Sequence, residues 1–252
     1  MNSIQNNKGA QGKMDIRKAA EQKNFEEIER ELLDLDDTFR FKCRHCGKCC
    51  KDQQEVIFTA RDLFHVARKK EISTGRAIQE YGETYIGPNS LVPLVRMLPK
   101  NGNGDCPLLT EDGRCSVHDC KPTVCALYPL GRVILNAEVG GPLRERAKLR
   151  VKYVLNDYQC GSAKRVNTVC DWLARFGIPE QDSFFLEWNS LLLSVSKAAY
   201  SLQESEKRAE LNALWDKAFF HFYLNYDTGT DFMPQFEENC KAVEKYLRLT
   251  IS

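Results

Sequence analysis

A chain of 252 residues, 42% hydrophobic and 28% charged, is long enough for one sizeable domain or for a domain with a helical appendage. Its formal net charge of +1, with Lys and Arg scattered among Asp and Glu, argues against a broad nucleic-acid-binding face. The chain opens without an apolar run, and its most apolar stretch, Phe184–Leu202, is broken by Glu187, Asn189, Ser190 and Lys197. Both features argue against a secretory leader and a membrane span, and make the cytoplasm the expected compartment.

Taken in chain order, residues 1–13 are polar with little to bury, and a disordered tail is expected. Ile28, Leu32 and Leu35 recur near helical spacing between Glu and Arg, so Ile16–Leu35 reads as a helix docked on the surface. The stretch Phe39–Lys51 follows, reading FRFKCRHCGKCCK, and it carries four of the eleven cysteines, Cys43, Cys46, Cys49 and Cys50. A short extended segment leads to Phe58. Thr59 suits an N-cap, and Ala60–Lys70 reads as a helix with Leu63, Val66 and Ala67 on its buried face. A second helix is expected over Gly75–Tyr81, stopping near Gly82.

Ser90–Leu98 reads as a strand, Asn101–Gly104 as a turn and Asp105–Leu109 as a strand or tight loop. Asp112-Gly113 is a hairpin signal that would return Cys115 toward Cys106. A single helical turn is expected around Pro122–Leu127, a short strand over Val133–Asn136 and a helix with a basic face over Arg144–Leu155. Asn167 is expected to cap a helix over Thr168–Arg175, closed by Phe176-Gly177. From Gln181 onward the chain reads as all helix: Asp182–Leu202, Ser205–Leu224 and Met233–Leu247. The expected fold class is α+β, mostly helical, with an irregular cysteine-rich core, short hairpins and C-terminal helices. The expected boundaries are 1–13 for the tail, 14–177 for a metal-binding domain and 178–252 for the helical region.

The chemistry lies in the cysteines. Cys106, Cys115, Cys120 and Cys125 join Cys43, Cys46, Cys49 and Cys50 as candidate ligands. Cys160 is a possible ninth, whereas the isolated Cys170 and Cys240 read as small buried hydrophobes. Two-residue gaps bring successive sulfurs toward one ion or cluster, and thiolates are soft donors suited to zinc or iron–sulfur centres. Four thiolates suit one tetrahedral zinc as well as one cubane cluster, so the spacing leaves the metal open. An odd cysteine count and a reducing compartment favour ligands and thiols over a disulfide framework. His118, between Cys115 and Cys120, is the histidine best placed to ligate or donate. Arg44, Lys48, Lys51 and Lys121 would offset thiolate charge and lower thiol pKa values, and Gly47 would let the backbone turn closely around the sulfurs.

The run Phe41-x-Cys43-x-x-Cys46-Gly47-x-Cys49-Cys50 resembles the opening signature of the CxxCxxCC, or YkgJ-like, cysteine-cluster family, described as zinc- or iron-chelating. Cys106-Pro107-Leu108 resembles its second segment. So does Cys115-Ser116-Val117-His118, followed by Cys120, Pro122, Cys125 and Tyr128-Pro129. Cys160-Gly161 is similar to its late cysteine. The resemblance covers roughly Phe39 to Gly177 and implies metal binding more than any reaction. A related motif occurs in flagellin lysine methylases, but no cofactor motif for that activity maps onto this chain. No Ser/His/Asp arrangement, HExxH, Walker loop or Rossmann fingerprint assigns a reaction class.

The expected function is a cytoplasmic metal-binding protein with a multi-cysteine centre, iron–sulfur (4Fe–4S) in preference to zinc, engaged in redox or metal handling. The alternatives are a structural zinc-binding interaction protein and a transferase-type enzyme that uses the cluster domain as a scaffold. The expected partners are the metal ion or cluster and a protein docked on the C-terminal helices, with no nucleic acid and no membrane.

Overall fold

A computed structural model describes residues 31–44, 46–51, 56–100, 104–135, 150–158 and 160–250. The tail, most of the Ile16–Leu35 helix, the turn at 101–103 and the first part of the 144–155 helix fall outside those residues.

Strand β1, Thr38–Lys42, alternates exposed and buried positions, with Phe39 and Phe41 inward. A two-residue strand β2, Ile57–Phe58, leads into helix α1, Ala60–Lys69. The Thr59 hydroxyl accepts the Asp62 amide at 3.2 Å, while the Asp62 carboxylate accepts the Thr59 amide at 3.0 Å. This reciprocal cap satisfies two of the donors that a helix start leaves open. Helix α2, Thr74–Tyr81, is capped by Ser73 and stops at Gly82. It runs directly into β3, Gly82–Ile86, which pairs antiparallel with β4, Pro93–Met97. Strand β2 pairs on the other side of β4, giving the order β2-β4-β3. Pro93 is tolerated because it is the first residue of its strand.

The short helix α3, Thr123–Leu127, precedes β5, Leu130–Leu135, which pairs antiparallel with β6, Arg150–Leu155. Strand β7, Ser162–Thr168, returns to β1, with Thr38 opposite Thr168 and Lys42 opposite Ser162. Helix α4, Val169–Ala174, follows at once. The C-terminal part is helical, as expected. It comprises α5, Ser183–Glu204, α6, Arg208–Phe219, which continues into a π-turn over Phe220–Leu224, and α7, Phe232–Thr250.

Three expectations are corrected. The fold is α+β but not mostly helical: 46% of the described residues are helix and 21% are strand, in three small sheets. Residues 150–155 form a strand, not the end of a helix. Val151, Tyr153 and Val154 are β-branched or aromatic and suit a pleated surface, and Tyr153 is 1% exposed. Asn167 does not cap α4; the Thr168 hydroxyl does so, accepting the Asp171 amide at 3.0 Å. Asn167 is instead buried and donates to the Phe41 carbonyl at 2.8 Å, tying β7 to β1.

Buried side chains fall into two clusters. The larger joins Phe58, Leu63, Phe64 and Val95 to Trp188, Phe222, Tyr223 and Phe236 of the C-terminal helices, and also takes in Cys106, Leu108 and Val117. The smaller is built on Phe39, Phe41, Leu127, Tyr153 and Trp172, with the Trp172 indole donating to the Leu127 carbonyl at 3.0 Å. Each fully buried Leu or Phe contributes about 1.5–3 kcal/mol. Asp182 links the two clusters. It caps α5 and accepts the Arg61 guanidinium of α1 through both oxygens, at 2.8 and 2.7 Å. It also accepts Arg132 of β5 at 3.0 Å.

Candidate metal centre

The cysteine stretch leaves β1 and turns at Gly47, whose φ of 68° lies in the left-handed region. A Cβ at that position would stand 3.3 Å from the Gly113 carbonyl, so the hairpin tip approaches the cysteine stretch closely, and the positive φ is what favours glycine. Residues Lys48–Cys50 form one 3-10 turn, with the Cys50 amide donating to the Gly47 carbonyl at 2.9 Å. The Cys49 and Cys50 sulfurs are 3.9 Å apart.

The later cysteines are brought back by backbone hydrogen bonds. The Cys106 amide donates to the Cys50 carbonyl at 2.8 Å. The expected hairpin forms: Leu109 bridges Cys115, Thr110 donates to the Arg114 carbonyl at 2.8 Å and Ser116 to the Leu108 carbonyl at 2.9 Å. Cys125 rides on α3, whose start is held by Asp62, since one carboxylate oxygen accepts the Thr123 amide at 2.8 Å and its hydroxyl at 2.7 Å. Cys160 is carried to the end of β1 by the β1–β7 pairing, one residue before Gly161. That glycine has a φ of 77°, and a Cβ there would meet the Phe41 ring and lie 2.9 Å from the Lys42 carbonyl.

These segments enclose a cavity of about 660 Å³. Cys43, Cys46, Cys49 and Cys50 line it, as do Cys106 and Cys115 from the loops, Cys125 from α3 and Cys160 from beside β7. Eight of the nine candidate ligands therefore share one cavity. The exception is Cys120, which is not among the lining residues and whose thiol faces the His65 carbonyl of α1 at 3.8 Å. Cys170 and Cys240 also lie outside the cavity; Cys170 donates to the Glu180 carboxylate at 2.9 Å, and Cys240 packs against the larger cluster. No disulfide joins any of the eleven cysteines, all of which are described.

His118 and Lys121 also line the cavity, whereas Arg44, Lys48 and Lys51 are exposed and do not. Sequence reasoning missed Met97, Arg114 and the anchoring role of Asp62. Met97 ends β4 facing inward, its thioether accepting the Cys106 thiol at 3.4 Å. The inward alternation of β4, with Pro93, Val95 and Met97 buried, is the one sequence signal that points to it.

Five of the candidate thiols, Cys49, Cys106, Cys120, Cys125 and Cys160, are shifted toward their neutral form. The Cys50 contact raises the Cys49 thiol well above its ordinary range. Burial does the same first of all for Cys106 and Cys125. Burial, followed by the Asp119 charge, pushes Cys120 up to about 11. Burial also raises Cys160, against the Tyr128 hydroxyl that its thiol meets at 3.5 Å. The Lys121 ammonium opposes the shift at Cys49 and Cys125 without reversing it. At Cys49 and Cys125 the expected lowering of thiol pKa by Lys121 is thus outweighed by desolvation and thiol–thiol proximity.

Among the described residues, no three His, Cys, Asp or Glu side chains stand together in ion-holding geometry. The donor set fits a thiophilic metal by its chemistry and by sharing one cavity. Among the same residues, no helix is long and apolar enough to cross a membrane.

A family model, CxxCxxCC, described as a putative zinc- or iron-chelating domain, matches residues 42–171, just over half of the chain. No curated protein and no solved structure matches.

Proposed function

The chain belongs to the CxxCxxCC family of zinc- or iron-chelating domains, and from that premise we propose that it is an iron–sulfur protein engaged in redox or metal handling in a reducing compartment. The observation that carries this reading is the convergence on one cavity of eight cysteines, none of them in a disulfide. We take Cys43, Cys46, Cys49, Cys50, Cys106, Cys115, Cys125 and Cys160 as the ligands. Cys120, which the sequence places beside them, points to the backbone of α1 and is set aside. All of these residues lie within 14–177, which we retain as the metal-binding unit, with 178–252 packed on it.

An iron–sulfur group held there would supply one-electron exchange, and a zinc ion a structural cross-link. The chain's own residues set the surroundings. Met97 and Leu108 keep the inner wall apolar. The Tyr128 hydroxyl stands ready to donate to Cys160 once that sulfur is a thiolate, and Lys121 places a positive charge near Cys49 and Cys125. Burial and such donors are the levers by which a protein tunes a thiolate-held centre.

The test is purification without oxygen followed by elemental analysis, acid-labile sulfide and an absorbance spectrum. Iron with equivalent sulfide and a visible chromophore are expected. Colourless protein carrying zinc would support the structural-zinc reading instead, and protein with neither metal would refute metal binding by this chain.

A further inference from the structure

We propose that the eight cavity thiols form two four-sulfur centres, with Cys43, Cys46, Cys49 and Cys160 in one, Cys50, Cys106, Cys115 and Cys125 in the other, and Cys120 in neither. This rests on the metal-binding reading above and gives it a stoichiometry.

The division follows from what holds each thiol. In the first set, Cys43 continues β1 and Cys160 precedes β7. The register that puts Lys42 opposite Ser162 brings those two cysteines to the same end of the β1–β7 ribbon. The tight approach of Gly161 to Phe41 and Lys42 fixes that junction, and Cys160 packs against the smaller core cluster. The second set is fastened elsewhere. The Cys106 amide is bonded to the Cys50 carbonyl, and Cys115 is returned by the hairpin. Cys125 is placed by the Asp62 anchor. All four of these cysteines belong to or pack against the larger core cluster.

Cys49 and Cys50 form the seam. They are consecutive in a 3-10 turn, where neighbouring side chains diverge by about 120° around the axis, so each can serve a different set although their sulfurs are 3.9 Å apart. Four thiolates complete a closed tetrahedral zinc site or hold one iron–sulfur cluster, and eight donors fill two such centres with none left over.

The experiment is metal content per chain in the full-length protein, purified without oxygen, for the wild type and for Cys→Ser variants checked for folding by circular dichroism. Cys160→Ser and Cys125→Ser should each retain about half of the wild-type metal. Cys160→Ser combined with Cys125→Ser should retain none. Cys160→Ser combined with Cys46→Ser, both from the first set, should lose no more than either alone. Cys120→Ser should retain it all. Cys115→Ser replaces Cys125→Ser if the latter fails to fold, and Cys46→Ser replaces Cys160→Ser in the same way. A metal-loaded wild type that loses all of its metal in every single variant would overturn the division in favour of one shared cluster, leaving metal binding intact. Metal loss by folded Cys120→Ser would overturn the exclusion of that residue. A wild type without metal would overturn the metal-binding reading, and this inference with it.

Discussion

Asp62 anchors two elements at once, and its replacement tests whether the Cys125 arm is positioned as described. The side chain is buried, 4% exposed, and accepts three hydrogen bonds: from the Thr59 amide at 3.0 Å, the Thr123 amide at 2.8 Å and the Thr123 hydroxyl at 2.7 Å. Hydrogen bonds to a charged group contribute about 1.5–3 kcal/mol each, and bonds that share one acceptor do not add fully. Asp62→Ala removes all three and leaves partly buried donors unmet, so a loss of about 2–4 kcal/mol is expected. Asp62→Asn keeps one acceptor oxygen for Thr123 but turns a donor toward the Thr59 amide, and should cost about 1–2 kcal/mol, on the scale of a lost helix cap. Urea unfolding of the metal-loaded chain measures both losses. Metal content of the folded variants should fall in the same order, because releasing Thr123 frees the start of the helix that carries Cys125. An Asp62→Ala variant within about 1 kcal/mol of wild type, with full metal content, would refute the anchoring role.

Three other outcomes are expected. Gly161→Ala, at a φ of 77° and facing Phe41 and the Lys42 carbonyl, should displace Cys160 and lower both thermal stability and metal content; an unchanged melt and metal ratio would contradict the close approach at the β1–β7 junction. Asp182→Ala leaves Arg61 and Arg132 without their carboxylate and should cost about 3–5 kcal/mol by urea unfolding. Burial opposes ionisation of Asp182, but Arg61 and then Arg132 prevail and hold its carboxyl below the ordinary range. Its stabilisation is therefore present above the unfolded value of about 4 and lost as pH falls through the folded one. The stability gap between wild type and Asp182→Asn should narrow below pH ~4, and a gap that widens there would refute the assignment. Removing metal with a strong chelator should leave most of the far-ultraviolet helical signal, because α5, α6 and α7 pack on one another and share one apolar cluster with α1 and β4; loss of the whole signal would refute that.

The parts of the fold that could be read in advance are those whose signals are local. Thr59 before an apolar-periodic run marks α1, Asp112-Gly113 marks the hairpin, and the wide apolar faces after Gln181 mark the last three helices. Non-local pairing was not legible. β1 and β7 are far apart in sequence, and nothing in Ser162–Thr168 announces the return to Thr38–Lys42. Asn167 resembles a cap by residue type, yet a neighbouring hydroxyl does that work and the amide serves the strand pairing. For the site, cysteine density singled out the sulfurs that share the cavity but not their directions. Cys120 sits among ligand candidates in sequence, and a turn in which its amide donates to the Val117 carbonyl at 3.0 Å accompanies a thiol aimed at α1. Met97 carries no motif, and the Thr59–Asp62 capping spacing announces only the start of α1, because the relation of both residues to the sulfurs exists only after the strands and loops have closed.

The pairing of β1 with β7 also bears on how the protein is made. Synthesis delivers Cys43, Cys46 and Cys49 long before Cys160, and the ribbon that joins the two ends cannot form until Thr168 has left the ribosome. The early thiols must therefore wait on the nascent chain without their partner, and the helices that complete the larger core emerge later still. In the division proposed above, filling of the Cys160 centre is consequently a late event in the life of the polypeptide, and that first trio of sulfurs would have to be kept reduced until the last strand arrives.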